Sequence, residues 1–515
     1  MTTIAPVRDD HDSGDLAALG YPQELHRRLG GFASFAAGFS FVSILTTVFQ
    51  LFAFGFSFGG PAFFWTWPIV FVGQFSVALV FAELSARYPI AGSIYQWSRR
   101  MSNEVVGWYA GWLMMIGYIV SVAAIAIALQ SVLPSVWSGF QIIGSDPSLT
   151  SKSGATNAII IGSICLVICT VISSVGVRIM SRITQIGVCC EIVGVVALVI
   201  LLFVHAKNSP AVLTHTNGVQ GGGSYFWPFV ISMLMASYVM YGFDSAGELS
   251  EETRDPRRTA PKAIIRAMVA SFVGGGLLLL SALLAAPSTT AKELSTVGLP
   301  YVVTSRLGET LGRILLADVA ISIFSATLAI QASASRVMFS MARDGRLPFS
   351  RQLAKVDART GTPIATGIVV SVLAIAVLFV NYGQAEVFLA VTGVSVVIVY
   401  LAYLMVTIPM LIRRVRGTMP DPIGDGDAPP FSLGRFGLPV NIIAVAMGLF
   451  LLIDIGWPRQ AVYNPSGGKW YLHYFTLLFV GGVVVIGAIS HQRIHRRDKQ
   501  ALAEAPLPAQ RVSGA

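Results

Sequence analysis

The sequence predicts an all-α polytopic membrane protein with 12 transmembrane helices, on three observations: its composition, the length of its apolar blocks and the placement of its basic residues. Of 515 residues, 54% are hydrophobic and 12% charged. That charge is about half the ~25% usual in soluble proteins, too little to cover a water-exposed surface of ordinary size. About twenty apolar residues cross a bilayer as a helix, so a dozen such blocks fit with residues left for loops and tails. A soluble multidomain enzyme is excluded on this ground.

Apolar runs between charge clusters place the first six helices near Phe32 to Phe56, Ala62 to Ala82, Val105 to Leu133, Ala158 to Val177, Ile183 to Val204 and Phe226 to Leu249. Six more lie near Ala267 to Leu284, Leu315 to Met341, Ile364 to Val380, Phe388 to Ile412, Val440 to Ile455 and Tyr471 to Ile489. The first thirty residues carry Arg8, Asp9, Asp10, Asp12, Asp15, Glu24, Arg27 and Arg28 and no apolar h-region. Nothing there resembles a cleavable signal peptide, so residues 1–30 are expected to be a cytosolic tail.

With both termini cytoplasmic, the outer segments hold only Lys152, Lys207, Lys292, Arg306, Arg313, Arg459 and Lys469 of the 35 basic residues. Basic residues are retained inside, so this asymmetry supports an even helix count and a place in the plasma (inner) membrane. The net charge of +9 then reads as a topology signal, with the lipid bilayer rather than nucleic acid as the partner. Cys165, Cys169, Cys189 and Cys190 all lie in apolar stretches, where a thiol packs as a small hydrophobe and no disulfide framework is implied. The segment MPDPIGDGDAPP within Thr418 to Pro439 is a flexible connector by composition.

Two blocks are interrupted. The first carries GFSFVSILTT (Gly38 to Thr47), rich in Gly, Ser and Thr; the sixth carries MYGFDSAGE (Met240 to Glu248), with Gly242 beside the ionisable Asp244. Non-helical backbone at membrane depth is tolerated only where protein or a cavity satisfies it. Helices one and six occupy matching places if helices one to five and six to ten are two halves of opposite orientation, an inverted repeat with the substrate site at its centre. A broken helix offers N–H groups to a carboxylate and free carbonyls to a cation. Close helix packing through small residues is the competing reading of GFSFVSI.

GFDSAGELSEETRDPRRTAPKAI (Gly242 to Ile264) resembles the sixth-helix signature of the amino acid, polyamine and organocation permease superfamily. AELSARYPIAGSIYQW (Ala82 to Trp97) is similar to the end of that superfamily's second helix and the re-entrant turn that follows. SRVMFSMARDGRLP (Ser335 to Pro348) is similar to the end of its eighth. The GFD form with SEET looks most like the branch that carries amino acids, γ-aminobutyrate or choline. The resemblance implies a five-plus-five inverted repeat with helices one and six broken (residues 31–206 and 225–412). A loop at 413–437, accessory helices at 438–490 and a cytosolic tail at 491–515 complete the expected chain. It also implies alternating access, with first-helix substrate contacts at Phe41, Val42, Ser43, Ile44 and Leu45, where Ser43 and the following N–H groups would meet a carboxylate. In the sixth helix it implies the carbonyls of Tyr238, Met240 and Tyr241 for an amine, Gly242 as the kink, and Phe243 beside it. An eighth-helix wall would lie near Phe324, Thr327, Ile330 and Gln331.

Ionisable residues at membrane depth cost about 2.5 to 3.5 kcal/mol for Asp unless paired, hydrated or neutralised. Glu191, in QIGVCCEIVGVV, stands where related proton-driven carriers place a Lys. It is expected either to take part in proton coupling or to hold helix one by a static hydrogen bond. Asp244 can pair with an amine, shuttle a proton or cap the second half of helix six. Glu83 at the cytoplasmic end of the second span, and Glu248, Glu251 and Glu252 near Arg254, Arg257 and Arg258, are expected to form ion pairs at a cytoplasmic gate, each of small stabilising effect when solvated, and Arg336, Arg343, Asp344 and Arg346 read the same way. Asp318 and Asp454 read as hydrated near the outer face, and Trp65, Trp67, Trp108 and Trp112 as an interfacial belt. No His spacing suits a metal, and no HExxH, GxSxG or P-loop occurs, so neither cofactor nor enzyme is expected.

The function read from the sequence is a secondary active importer of an amino acid or related amine such as γ-aminobutyrate, with the proton as the expected coupling ion. Choline or polyamine uptake, amino acid exchange and a non-transporting membrane sensor stand as alternatives. An aromatic cage for a quaternary ammonium would draw on Phe41, Tyr238, Tyr241 and Phe243.

Overall fold

The computed structural model describes residue 14 and residues 16–149, 151–380, 382, 387–420, 431–464 and 467–504. Residues 421–430, most of the expected flexible connector, lie outside them. The described secondary structure is helical, with one isolated backbone bridge between Leu29 and Thr253.

The first apolar block forms two helices, α1 (Gly31–Val42) and α2 (Ile44–Gly59), separated by Ser43 alone. The second forms α3 (Thr66–Arg87), and the predicted re-entrant turn closes on a short helix, α4 (Ser93–Met101). Blocks three to five form α5 (Glu104–Val136), α6 (Lys152–Val175) and α7 (Val177–Val204). The sixth is again divided, into α8 (Phe226–Val239) and the single turn α9 (Ser245–Glu248). Then come α10 (Pro256–Ala285), α11 (Lys292–Thr296) and α12 (Leu299–Arg343), which turns at Gly308 where φ is 75°. The remaining large helices, in chain order after the one-turn α13 (Ser350–Leu353), are α14 (Ile364–Val380), α15 (Val387–Arg416) and α16 (Gly437–Gly456). Two more single turns precede the last helix, Phe475–Glu504.

Among the described residues ten helices, counting α1 with α2 as one, are long and apolar enough to cross a membrane; Phe226–Val239 and Ile364–Val380 are apolar but shorter. Each of the twelve predicted blocks therefore has a helical counterpart. The last helix runs on to Glu504, so the first residues of the expected C-terminal tail are helical. Burial separates centre from rim. The windows in Gly31–Gly59 and Glu104–Val136 are 89% buried, whereas those in Gly434–Gly456 and Phe475–Arg497 are 28% and 17% buried. The outer helices expose large apolar side chains such as Val193, Ile453 and Val485, a surface suited to lipid rather than water.

Trp67 and Trp108, expected at an interface, are both 1% exposed. Their indoles donate to the carbonyls of Phe272 (2.9 Å) and Arg346 (3.0 Å), so they anchor helix packing. Trp65, by contrast, is 47% exposed. The described part of the N-terminal tail is not free either. Leu25 packs with Ala91 and Phe339, the N–H groups of Arg28 and Leu29 donate to the Glu252 carbonyl, and the Arg343 guanidinium lies 4.2 Å over the Tyr21 ring. The tail thus straps the end of the bundle where α4, α9 and the end of α12 meet.

Candidate functional site

At the first interruption, Ser43 has φ 35° and ψ 91°, a left-handed conformation rare for a residue with a Cβ. The helical ladder nearly steps across it: the Ser43 N–H donates to the Phe39 carbonyl (2.8 Å) and the Thr47 N–H to the Ser43 carbonyl (3.0 Å). The first N–H groups of α2 still have no carbonyl behind them. Glu191 of α7, fully buried, fills that role. Its Oε1 accepts from the Ser43 hydroxyl (3.0 Å) and the Leu45 N–H (3.2 Å), while its Oε2 has no partner among the described residues. The donors expected to face a substrate carboxylate are therefore held, in this conformation, by the chain's own carboxylate. Three residues on in α7, Gly194 makes room for the Asp318 side chain of α12, since a Cβ there would overlap the carboxylate. Asp318 is half-buried with Oδ2 unpartnered among the described residues, which corrects the expectation of a simply hydrated group.

The second interruption runs from Met240 to Asp244, with Gly242 at φ 90°. Tyrosines stitch it. The Gly242 N–H donates to the Tyr403 hydroxyl (2.9 Å), and the Tyr400 hydroxyl donates to the Ser237 carbonyl (3.2 Å). Both oxygens of Asp244 are taken: Tyr118 donates to Oδ2 (2.5 Å) and Tyr403 to Oδ1. Asp244 stands at the N-cap position of α9, as the capping expectation places it, but makes no side-chain capping bond there; two phenols from α5 and α15 claim the carboxylate instead. The carbonyls of Met240 and Tyr241 have no hydrogen-bond partner among the described residues.

The two interruptions face each other. The Phe41 ring, at the end of α1, lies so close to Gly242 that a Cβ there would overlap it. Phe41 is 5.1 Å from the Tyr118 ring and 6.0 Å from Tyr241, which is 5.7 Å from Tyr238. Phe243 is not in this cluster: it packs on Phe81 (6.0 Å) and Tyr403 (5.6 Å), because the left-handed turn at Gly242 sends the next side chain away. Three of the four rings expected for a cage gather at the break, and Tyr118 joins them. Val42, Ile44, Leu45 and Met240 are all buried around it.

On α12, Thr327 and Ile330 are buried, with the Thr327 hydroxyl donating to Ile323 one turn back (2.8 Å). Gln331 points elsewhere: it donates to Thr170 (2.8 Å) and Ser371, on α6 and α14. Ser325 is the residue that reaches α1, 2.9 Å from the Ser40 hydroxyl. Six positions at about 100° each separate the two faces, and no motif fixed that register. Tyr118, Tyr400 and Tyr403 were missed as well. Their one signal is polar hydroxyls inside otherwise apolar helices, with Tyr400 and Tyr403 at the i, i+3 spacing of one helix face.

The model of the family described as "Amino acid permease" matches residues 29–486. The chain belongs to the amino acid permease family. It is 27% identical over 485 residues to "Amino-acid permease BAT1" of Arabidopsis thaliana, covering 87% of this chain and 90% of that one. It is 24% identical over 495 residues to "Amino-acid permease 2" of Neurospora crassa, covering 92% and 87%. A fission-yeast relative, "Uncharacterized amino-acid permease C74.04" of Schizosaccharomyces pombe, is 25% identical over 475 residues, with 88% and 81% covered. The protein is an integral membrane permease of the amino acid, polyamine and organocation superfamily. It is a transporter rather than an enzyme.

Acidic residues at one end of the permease are buried rather than solvated. Glu252 meets Arg336 (2.9 Å) and Glu251 meets Arg343 (2.8 Å), each carboxylate wholly buried. Glu248 accepts from the N–H (3.0 Å) and hydroxyl (2.7 Å) of Ser93, and Glu83 is paired with Arg87 (3.2 Å) and Arg414. Arg336 and Arg343, expected at the same gate, are the partners of Glu252 and Glu251, rather than the nearer Arg254, Arg257 and Arg258, and the pairs are buried where solvated ones were expected. Removing one member of such a buried pair costs about 3–5 kcal/mol, so the small contributions expected for solvated pairs do not apply. Asp454 is likewise buried and paired with Arg459 at 2.6 Å.

Proposed function

We propose that this permease is a proton-driven importer of an amino acid or related amine such as γ-aminobutyrate. It works by alternating access across the plasma (inner) membrane with both termini cytoplasmic. In this reading twelve spans form a five-plus-five inverted repeat, residues 31–206 and 225–412, followed by two accessory helices, and substrate lies between the breaks at Ser43 and Gly242. The apposition of two interrupted helices, each next to a buried carboxylate, carries the reading. The free carbonyls of Met240 and Tyr241 supply acceptors for the amine, with Phe41 and Tyr241 against the adjoining alkyl chain and the α12 face at Thr327 and Ile330 closing the far side.

Glu191 is the coupling element. An ionised carboxylate with one oxygen unpartnered at membrane depth is costly, yet the positive end of α2 holds it. A proton on Glu191 weakens that grip and releases the Ser43 hydroxyl and the Leu45 N–H to a substrate carboxylate. Proton and substrate carboxylate therefore enter together. Asp244, fixed by two phenols, sets the local charge near the amine.

Purified protein in proteoliposomes tests this. The wild type should accumulate amino acid when an inward proton gradient is imposed. Glu191→Gln, which mimics the protonated state, should still exchange substrate across the membrane but lose gradient-driven accumulation. Full accumulation by Glu191→Gln would remove the proton role. Absence of any saturable flux in the wild type would favour the sensor alternative.

A further inference from the structure

A cleft of about 310 Å³ lies between the segment entering α1 and the first two turns of α7, lined by Arg28, Phe32, Arg178, Ser181, Arg182 and Gln185 among others. Among the described residues no hydrogen bond or ion pair engages the side chains of Arg28, Arg178 or Arg182, and no acidic residue lines the cleft. The larger cleft nearby is different: Arg99 is paired with Asp344 and Glu104, both at 2.9 Å, and Arg100 donates to Gln96 at 2.6 Å. Its cations are spent internally. Three arginines converging without a counter-charge are what a phosphate group needs, since guanidinium pairs with phosphate through forked, charge-assisted bonds.

The position of the cleft specifies the carrier of that phosphate. Phe32 is 48% exposed, and Ile179 and Ile186, interleaved with the arginines on α7, are 43% and 63% exposed. These residues begin the outward apolar face that α7 continues at Val193, Val196 and Ile200. The arginines therefore stand at the level where a bilayer's hydrocarbon gives way to its headgroups, with acyl-chain surface directly beside them. The amino-terminal end of the 28-residue helix α7 adds its favourable dipole. We infer that this cleft binds the phosphate of an anionic phospholipid headgroup, with Arg28, Arg178 and Arg182 on the phosphate and Phe32 and Ile179 against the acyl chains.

The test reads binding rather than flux, so its outcome is independent of the transport reading. Full-length protein in detergent is incubated with phosphatidylglycerol or phosphatidylcholine, and retained lipid is measured by native mass spectrometry. Wild-type protein should retain phosphatidylglycerol preferentially, and about 0.5 M salt should erase the preference, as for other surface-charge contacts. Arg178→Gln combined with Arg182→Gln should weaken phosphatidylglycerol retention roughly tenfold or more, the loss of two near-surface charges. The same variant should melt at the wild-type temperature in lipid-free detergent, and Arg351→Gln, an exposed arginine outside the cleft, should bind normally. Equal retention of both lipids by the wild type, or undiminished phosphatidylglycerol binding by the folded double variant, overturns the inference. Stabilisation by inorganic phosphate without a lipid preference would assign the site to free phosphate and overturn its lipid part.

Discussion

The two helix interruptions solve one problem by different means. At Ser43 a single residue leaves the helical conformation and the hydrogen-bond ladder almost closes around it, with the exposed N–H of Leu45 met by the Glu191 carboxylate. At Met240 to Asp244 five residues leave it, and phenols from two other helices supply the missing partners. A carboxylate can gain or lose a proton at ordinary pH, whereas a phenol, with an unperturbed pKa of about 10, does not. A carboxylate thus meets the backbone directly at the first break, through the Leu45 N–H, whereas at the second a phenol stands between the Gly242 N–H and the Asp244 carboxylate. A proton on Glu191 would act on the break itself, and one on Asp244 only through the phenols.

The largest expected effect comes from filling the second break. Gly242→Val puts a branched side chain at φ 90° and into the Phe41 ring, combining backbone strain with overpacking for a cost of about 3 kcal/mol or more. Yield of folded, detergent-stable protein should collapse; a well-folded, active Gly242→Val protein would show that the second break is adaptable after all. Next is Asp244→Ala, which leaves the hydroxyls of Tyr118 and Tyr403 without their acceptor in a fully buried place, at about 1–3 kcal/mol for each. Its melting temperature should fall clearly, whereas Asp244→Asn, still an acceptor, should fall much less. Equal losses for the two would mean that the negative charge, not the hydrogen bonds, holds the second break.

The smallest effect is expected at the first break. Ser43→Ala removes one hydrogen bond to Glu191 but keeps the Leu45 N–H contact, a cost of about 1 kcal/mol. Stability should change little while the pH dependence of uptake shifts, because one of the two donors holding the Glu191 carboxylate is gone. A pH profile identical to wild type would break the assigned contrast between a first break that a carboxylate holds directly and a second that phenols hold.

Much of this was legible in the sequence because membrane burial makes local signals strong. The apolar blocks stand out as helices, and both interruptions are marked by Gly and Ser at places where Leu would otherwise fall. The re-entrant turn after Arg87 was legible only through the resemblance that AELSARYPIAGSIYQW carries. Partnerships were not, since they depend on which faces of distant helices meet. Asp244 finds Tyr118 and Tyr403, 126 and 159 positions away, and although Arg336 was legible as a gate charge, its pairing with Glu252 was not. Trp67 and Trp108 failed as belt residues for the same reason: position near a span end says nothing about whether a neighbouring helix covers the indole. Gln331 shows the limit most plainly, because the unbroken stretch of α12 after Gly308 carries no mark from which to count its register.

The strap at the N-terminal side has a consequence for the kinetics of any opening there. Glu252 holds Arg28 and Leu29 through its carbonyl and Arg336 through its carboxylate, so these contacts have to part together, and each ion set free must be solvated at once. Parting them is a wetting event, because water has to reach charged groups that are buried while the strap is closed. Large solutes that cannot enter, and so lower the activity of water outside, should slow that step without touching a single residue.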